Sequence, residues 1–272
     1  MSKSPETANL AVFCDFENIA LGVEEAKYEK FDIALVLEKL LLKGSIVVKK
    51  AYCDWARYRD FKAAMHEAAF ELIEIPHIRQ SGKNSADIRL VVDALDLCYT
   101  KPHVDTFVIV SGDSDFSPLV SKLRENNKTV IGVGVKQSTS DLLIANCDEF
   151  IYYDDLVRAQ RPARRSRAPK KSPEAPGDSR AHLRPSEKMG DVQEAIDLIL
   201  ETIEAIAEER GSDEKIWGSM VKQTLKRRRP GFNESYYGYR SFNRLLEDMA
   251  ARGLIELEHD EKSGGVIIRR FR

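Results

Sequence analysis

The sequence predicts an α/β protein: a three-layer α/β/α domain around a mostly parallel sheet, followed by a small winged helix-turn-helix domain. Three observations carry this. Short apolar, β-branched segments alternate with helical periodicity over residues 8–158, the punctuation of repeated β-α units. One of them, Thr106–Val110 (TFVIV), shows no polar alternation, which suits a parallel strand covered on both faces. Beyond a proline-rich stretch, three helical segments and a hairpin fill residues 191–272.

Taken in order, residues 10–14 form the first strand, which stops at Asp15. Asp32 caps a helix over 33–43, and Gly44 stops it. Residues 46–52 are a strand, 58–69 a helix and 71–75 a strand that ends before Pro76. A polar loop over 77–85, centred on Gly82, leads into a helix over 86–99. There Asp87 shares a side with Val91, Ala94, Leu95 and Cys98, so it heads the buried face, whereas Asp93 and Asp96 fall toward solvent. After Thr106–Val110 come a helix over 119–126, a strand over 129–135, a short helix over 140–145 and a strand over 150–153. Right-handed crossovers place Asp15 and Asp113 on one C-terminal sheet edge, where open α/β sheets bind ligands. Ser117 and Pro118 form an N-cap and N1 pair for the following helix. Asp113 and Asp115 are then surplus to capping.

Charge is unevenly spread. Residues 1–160 hold 19 basic and 25 acidic groups, 161–190 hold 9 and 3, and 191–272 hold 14 and 16. The middle segment, with five prolines and few large apolar residues, has too little to bury and reads as a flexible linker over 159–190. Its run Arg164, Arg165, Arg167, Lys170 and Lys171 is a candidate phosphate tether. Cys14, Cys53, Cys98 and Cys147 lie far apart without a C-x-x-C pair and read as reduced core thiols. The residues before the first strand lack a signal-peptide pattern, and no apolar run matches a bilayer's thickness. A cytoplasmic location without a membrane partner is the expectation.

In the last 82 residues, helices over 191–209, 215–228 and 236–252, with Gly253 as a stop, precede a hairpin of 254–258 and 266–271. Trp217 falls in the second helix. Trp217, Tyr237 and Phe242 read as core. Lys222, Lys226, Arg227, Arg228 and Arg229 form a basic run at a helix end, suited to phosphate contact.

Asp15, Asp87 and Asp113, with Asp115 beside the last, would gather at one sheet edge. Unpaired carboxylates so close repel one another unless cations neutralise them, and hard oxygen donors select Mg²⁺ or Mn²⁺. Such a centre suits hydrolytic phosphoryl chemistry. The chain has no G-x-x-x-x-G-K-[ST] loop and no G-x-S-x-G elbow, and His66 and His77 lack partners at metal-ligand spacing. Nucleotide kinase, serine hydrolase and zinc enzyme lose ground accordingly.

The segments CDFENI at 14–19, GKNSAD at 82–87 and SGDSDF at 111–116 resemble the NYN domain of the PIN-like nucleases, the group with LabA-type proteins, over about residues 8–155. The resemblance implies a PIN-like Rossmannoid fold and a metal-dependent ribonuclease, endonucleolytic in preference to exonucleolytic. In it Asp15, Asp87 and Asp113 bind Mg²⁺ or Mn²⁺, Asp115 assists, and Asn18 orients the first aspartate or a phosphate. Lys83 is a candidate substrate contact, although this loop spaces Lys83 from Asp87 differently from the family's K-G-x-D. The C-terminal part resembles an OST-HTH or LOTUS domain through Trp217, Pro230–Phe232, YYGYRSFNRLLEDM at 236–249 and GLIEL at 253–257. That resemblance implies RNA binding or a protein partner. A homo-oligomer is compatible with the sequence. Two alternatives stay open: an RNA-binding adaptor without turnover, and a haloacid-dehalogenase-type phosphatase, which needs aspartate where Glu17 stands.

Overall fold

The computed structural model describes residues 8–75, 85–167, 191–210, 215–260 and 264–271. The chain divides into two compact units, Met1–Val157 with Lys226–Gly231, and Arg158–Leu225 with Phe232–Arg272.

In the first unit six strands, β1 (Ala8–Asp15), β2 (Gly44–Cys53), β3 (Glu71–Glu74), β4 (Thr106–Val110), β5 (Thr129–Gly134) and β6 (Glu149–Tyr152), form one sheet in the order β3-β2-β1-β4-β5-β6. Every pairing is parallel. The helices are α1 (Phe16–Glu25), α2 (Ile33–Leu41), α3 (Arg59–Glu67), α4 (Ser85–Thr100), α5 (Ser117–Glu125), α6 (Asp141–Asn146) and the first turn of α7 (Tyr153–Arg167), whose remainder is counted in the second unit. Strand β1 shows why two helical layers are needed. Leu10, Val12 and Cys14 enter one core with Phe16, Ile19 and Leu40, while Ala11 and Phe13 enter another with Leu90, Ala94 and Leu119. Alternate side chains of a strand point to opposite faces, so an apolar strand requires cover on both. The strand order reverses between β1 and β4, making their C-terminal ends a topological switch point where a crevice opens.

Several expectations are corrected. Helix α1 had no counterpart in the sequence reading; it begins directly after Asp15, whose side chain caps it. Helix α2 ends at Leu41, and Gly44 starts β2 instead of merely ending a helix. Ser117 is not an N-cap. A 3-10 turn over Ser114–Phe116 is capped by Asp113, so the chain is already right-handed helical at Ser117 (φ −57°, ψ −38°), whereas a cap needs extended backbone. Ser117 becomes the first residue of α5, with a buried hydroxyl lacking a hydrogen-bond partner. Asp93 is only partly exposed and holds two donors. The stretch expected as linker is helical as far as Arg167, where Asp154 and Asp155 in the first turn complement the helix dipole. Residues 76–84, with Lys83, and 168–190, with Lys170 and Lys171, lie outside the described residues.

The second unit contains α8 (Val192–Arg210), β7 (Ile216–Trp217), α9 (Gly218–Arg228) up to Leu225, a 3-10 turn over Glu234–Tyr237, α10 (Phe242–Ala251), β8 (Ile255–His259) and β9 (Val266–Phe271). Strands β7, β9 and β8 form an antiparallel sheet in that order. Trp217 therefore belongs to a strand and not to the second helix. Ile196, Ile199, Ile203, Val221, Leu225, Leu245 and Met249 share one core with Tyr237 and Phe242. Helix α10 ends before Gly253, at φ +73°, a left-handed backbone that glycine adopts without a Cβ penalty. Among the described residues no helix is long and apolar enough to cross a membrane.

One buried hydrogen bond ties α4 to the sheet. Tyr52 is fully buried and sits in register with Asp15. Its hydroxyl donates to Asp93 Oδ2 at 2.9 Å, and Arg89 Nε donates to Asp93 Oδ1 at 3.0 Å. The pair fixes how far α4 slides and turns over β2, and thereby where Asp87 stands. We expect Tyr52→Phe, which keeps the ring but removes the donor, to destabilise the fold by about 1.5–3 kcal/mol in urea unfolding, the range for a hydrogen bond to a charged group. Asp93→Ala should cost a similar amount, and the double variant clearly less than the sum. Additive effects would mean that the two groups do not act together.

Candidate active site

The site grows from two strand ends. Strand β1 delivers Asp15 into the protein, 6% exposed, at the point where α1 starts. Its Oδ1 accepts weakly from the Asn18 backbone N–H at 3.4 Å, and its Oδ2 accepts from the Ser111 hydroxyl at 3.0 Å. The same Ser111 oxygen accepts from the Asp113 backbone N–H at 3.1 Å. Asn18 reaches across, its Oδ1 accepting from the Gly112 N–H at 2.8 Å. At Gly112 a Cβ would lie 2.6 Å from the Ser138 carbonyl oxygen, so a side chain there would push the turn away from its neighbour. Ser111, Gly112 and Asn18 thus clamp the turn after β4 to the start of α1. Asp113 Oδ1 accepts from the Asp115 N–H at 2.9 Å.

The electrostatics are those of crowded anions. Burial, with the charges of Asp87 and Asp113, pushes the Asp15 carboxyl up to about 7, against the pull of the Ser111 and Asn18 hydrogen bonds. Asp87, in the first turn of α4, is raised to about 6 by burial and by Asp113, Asp115 and Glu17. Repulsion and desolvation both penalise the charged form. The structure therefore brings Asp15, Asp87, Asp113 and Asp115 into mutual electrostatic influence. It does not close them into a ready ligand set: among the described residues no three His, Cys, Asp or Glu side chains are gathered so as to hold a metal ion. The donor chemistry fits a hard divalent cation, since every candidate is a carboxylate oxygen and two of the four are held above their ordinary range by burial and by neighbouring negative charge.

Beside Asp115 a cleft of about 640 Å³ opens, lined by Ser114, Asp115, Ser117, Pro118, Ser121 and Leu142. Glu17, which the phosphatase alternative needs as an aspartate, is ion-paired with Arg57 at 2.9 Å. The basic candidates are scattered. Arg164, Arg165 and Arg167 lie in the last turns of α7; Lys226, Arg227 and Arg228 occupy the last turn of α9, with Arg229 following. Lys226 is half-buried and ion-paired, and Lys222 is paired with Glu234 at 2.7 Å. Arg227 and Arg229 are exposed. Sequence reasoning missed Ser111, Gly112 and Tyr52. The Ser-Gly pair directly after a wholly apolar strand was the available signal for the first two.

Comparison with known proteins agrees with this arrangement. The family model described as the NYN domain matches residues 9–154. An uncharacterized protein of Methanocaldococcus jannaschii is 29% identical over 126 residues, covering 44% of this chain and 49% of that protein; the chain thus spans about half the length of this curated relative. The crystal structure of a protein of unknown function from Vibrio parahaemolyticus shares 30% identity at a TM-score of 0.50, covering 57% of this chain and 98% of that one. A six-stranded parallel sheet, carboxylates at its switch point and a family match over more than half of the sequence lead to one conclusion: the chain belongs to the NYN domain family, a PIN-like nuclease family.

Proposed function

We propose that this protein is a metal-dependent ribonuclease that hydrolyses RNA phosphodiesters internally at the Asp15, Asp87 and Asp113 cluster, with Mg²⁺ or Mn²⁺ as cofactor. The observation that carries this is Asp15, a buried carboxylate pushed up to about 7 beside two further carboxylates, an arrangement that costs stability unless it serves a ligand. Asp15, Asp87 and Asp113 would hold the cation, with Asp115 assisting. Bound there, a divalent cation supplies charge for the phosphate oxygens and lowers the pKa of water. The protein's own groups do the rest. Ser111 and the Asn18 N–H keep the Asp15 carboxylate oriented. Asp115, the carboxylate not given to the cation, would accept the proton of an attacking water. The new phosphorus–oxygen bond then displaces a ribose oxygen, which leaves with a proton from solvent. The cleft past Asp115 offers room for a flanking nucleotide.

We further read residues 191–272 as a winged helix of the OST-HTH or LOTUS type that recruits RNA or a protein partner, with Arg227, Arg228 and Arg229 as phosphate contacts. The four free, buried cysteines suit a reducing, cytoplasmic setting. An RNA-binding adaptor without turnover is the second reading, favoured by the lack of a closed three-ligand group among the described residues. Metal-dependent cleavage of a generic RNA by the full chain, abolished by Asp15→Asn, separates the two.

Two outcomes test the assignment. Raised carboxylates bind more protons folded than unfolded, so without metal the pair's contribution is favourable below about pH 4 and is lost as pH rises through about 6–7. Asp113→Asn keeps an acceptor for the Asp115 N–H but removes a charge that raises both neighbours. With chelator at pH 8 the variant should melt above wild type, and at pH 5 the difference should vanish. Adding Mn²⁺ at pH 8 should reverse the order, because a ligand at a hundredfold excess over Kd contributes about 2.7 kcal/mol to a state that binds it. A variant melting lower without metal and gaining as much from Mn²⁺ would make Asp113 a turn residue only. Separately, Arg227→Ala with Arg229→Ala should weaken RNA binding and flatten the slope of log K against log salt by about 1.4 for a single strand. An unchanged slope would remove these arginines from the interface.

A further inference from the structure

Helix α4 has three faces, and the nuclease site uses only part of one. Leu90, Ala94, Leu97 and Cys98 pack on the sheet. On a different face stand Ile88 (64% exposed), Val92 (56%) and Tyr99 (63%), with half-buried Leu95 among them. Their spacing is 4, 3, 4, the alternation of d and a positions through two heptads, which keeps side chains in one seam facing a partner helix. Three large exposed side chains aligned on one helix differ from singly scattered surface apolars, which need no explanation.

The seam is self-complementary. Turned antiparallel about a point midway between Val92 and Leu95, it sets Ile88 opposite Tyr99 and Val92 opposite Leu95, each pair occurring twice. The flanking e positions are Arg89 and Asp96, and an antiparallel pair brings e beside e, so each Arg89 meets an Asp96 of the other copy. Parallel pairing offers no such match, because e then meets g, and the g positions are Val91 and Cys98. We propose that α4 is a homodimer interface, pairing antiparallel with α4 of a second copy about a two-fold axis near residues 93–94, an isologous contact. A helix of 16 residues spans about 24 Å, and one helix pair covers less than the roughly 800 Å² per partner of a standard interface. The dimer is therefore weak and concentration-dependent. The proposal does not depend on the nuclease assignment, since neither the seam nor its flanks enter the site.

Sedimentation velocity on the full chain across a hundredfold concentration range tests this. Wild type should pass from monomer to dimer. Val92→Glu should raise the dissociation constant at least tenfold, and Tyr99→Lys similarly, while circular dichroism melts stay as in wild type because both positions are exposed. Asp96→Arg, which sets like charges against Arg89, should weaken the dimer several-fold. A chain that stays monomeric throughout overturns the proposal. So does a dimer indifferent to Val92→Glu and Tyr99→Lys, which would place the contact on another surface, the second unit included.

Discussion

Carboxylates held together against their own repulsion are the constraint on which the rest of this structure depends. Asp15 is buried, and its hydrogen bonds from Ser111 and Asn18 offset only part of the cost of charging it. A loop would relax by swinging one carboxylate outward. A strand in the middle of a parallel sheet does not allow that, because β1 is paired on both sides and covered on both faces. The remaining freedom lies in the turn after β4, and three polar groups remove it: Ser111 bridges Asp15 to the Asp113 N–H, Asn18 takes the Gly112 N–H, and Asp113 takes the Asp115 N–H. Rigidity of this kind is what a preorganised centre requires.

Asp113 shows that capping and a long-range electrostatic effect are not exclusive roles of one residue. From the sequence the two look like competitors, because a cap at Ser117 would free the aspartates. In the structure Asp113 caps the 3-10 turn and also adds to the charge that raises Asp15 and Asp87. The two roles have different physical requirements. A cap needs an oxygen acceptor, which asparagine also provides; the electrostatic role needs a full negative charge. Asp15 has the same double duty at the start of α1, so the residues that begin the helices are the ones that carry the site.

Much of the fold was legible because burial on two faces leaves a strong signal. Thr106–Val110 could be read to the residue, and once strands alternate with helices the handedness of crossovers places Asp15 and Asp113 on one edge. What escaped depended on tertiary approach. Helix α1 carries Gly22 in its middle, a poor helix former; it is there because a Cβ would lie 2.4 Å from Ser138 Oγ, a contact with a residue more than a hundred positions away that no local pattern reveals. Ser117 followed a correct local rule, overridden by the turn ahead of it. Asp93 was assigned to solvent from a helical wheel that knew nothing of Tyr52, whose hydroxyl must find an acceptor once its ring fills the core. Asp87, by contrast, was placed by periodicity alone, since its helix has one clear core stripe.

Helix α4 concentrates these demands. Its N-terminus carries Asp87 into the carboxylate cluster, and its middle is pinned to the sheet by Asp93 and Tyr52, which pairs in register with Asp15. Asp87 and Asp93 are six residues apart, so they point in quite different directions from the helix axis. The Tyr52–Asp93 hydrogen bond in mid-helix, together with the packing of Leu90, Ala94 and Leu97, therefore limits both axial position and rotation of the helix, including the first turn. The Coulombic influence of Asp87 on Asp15 depends on their separation, and that separation follows from where the Tyr52 hydroxyl holds Asp93. A phenol outside the carboxylate group thus helps to set the spacing of two of its members.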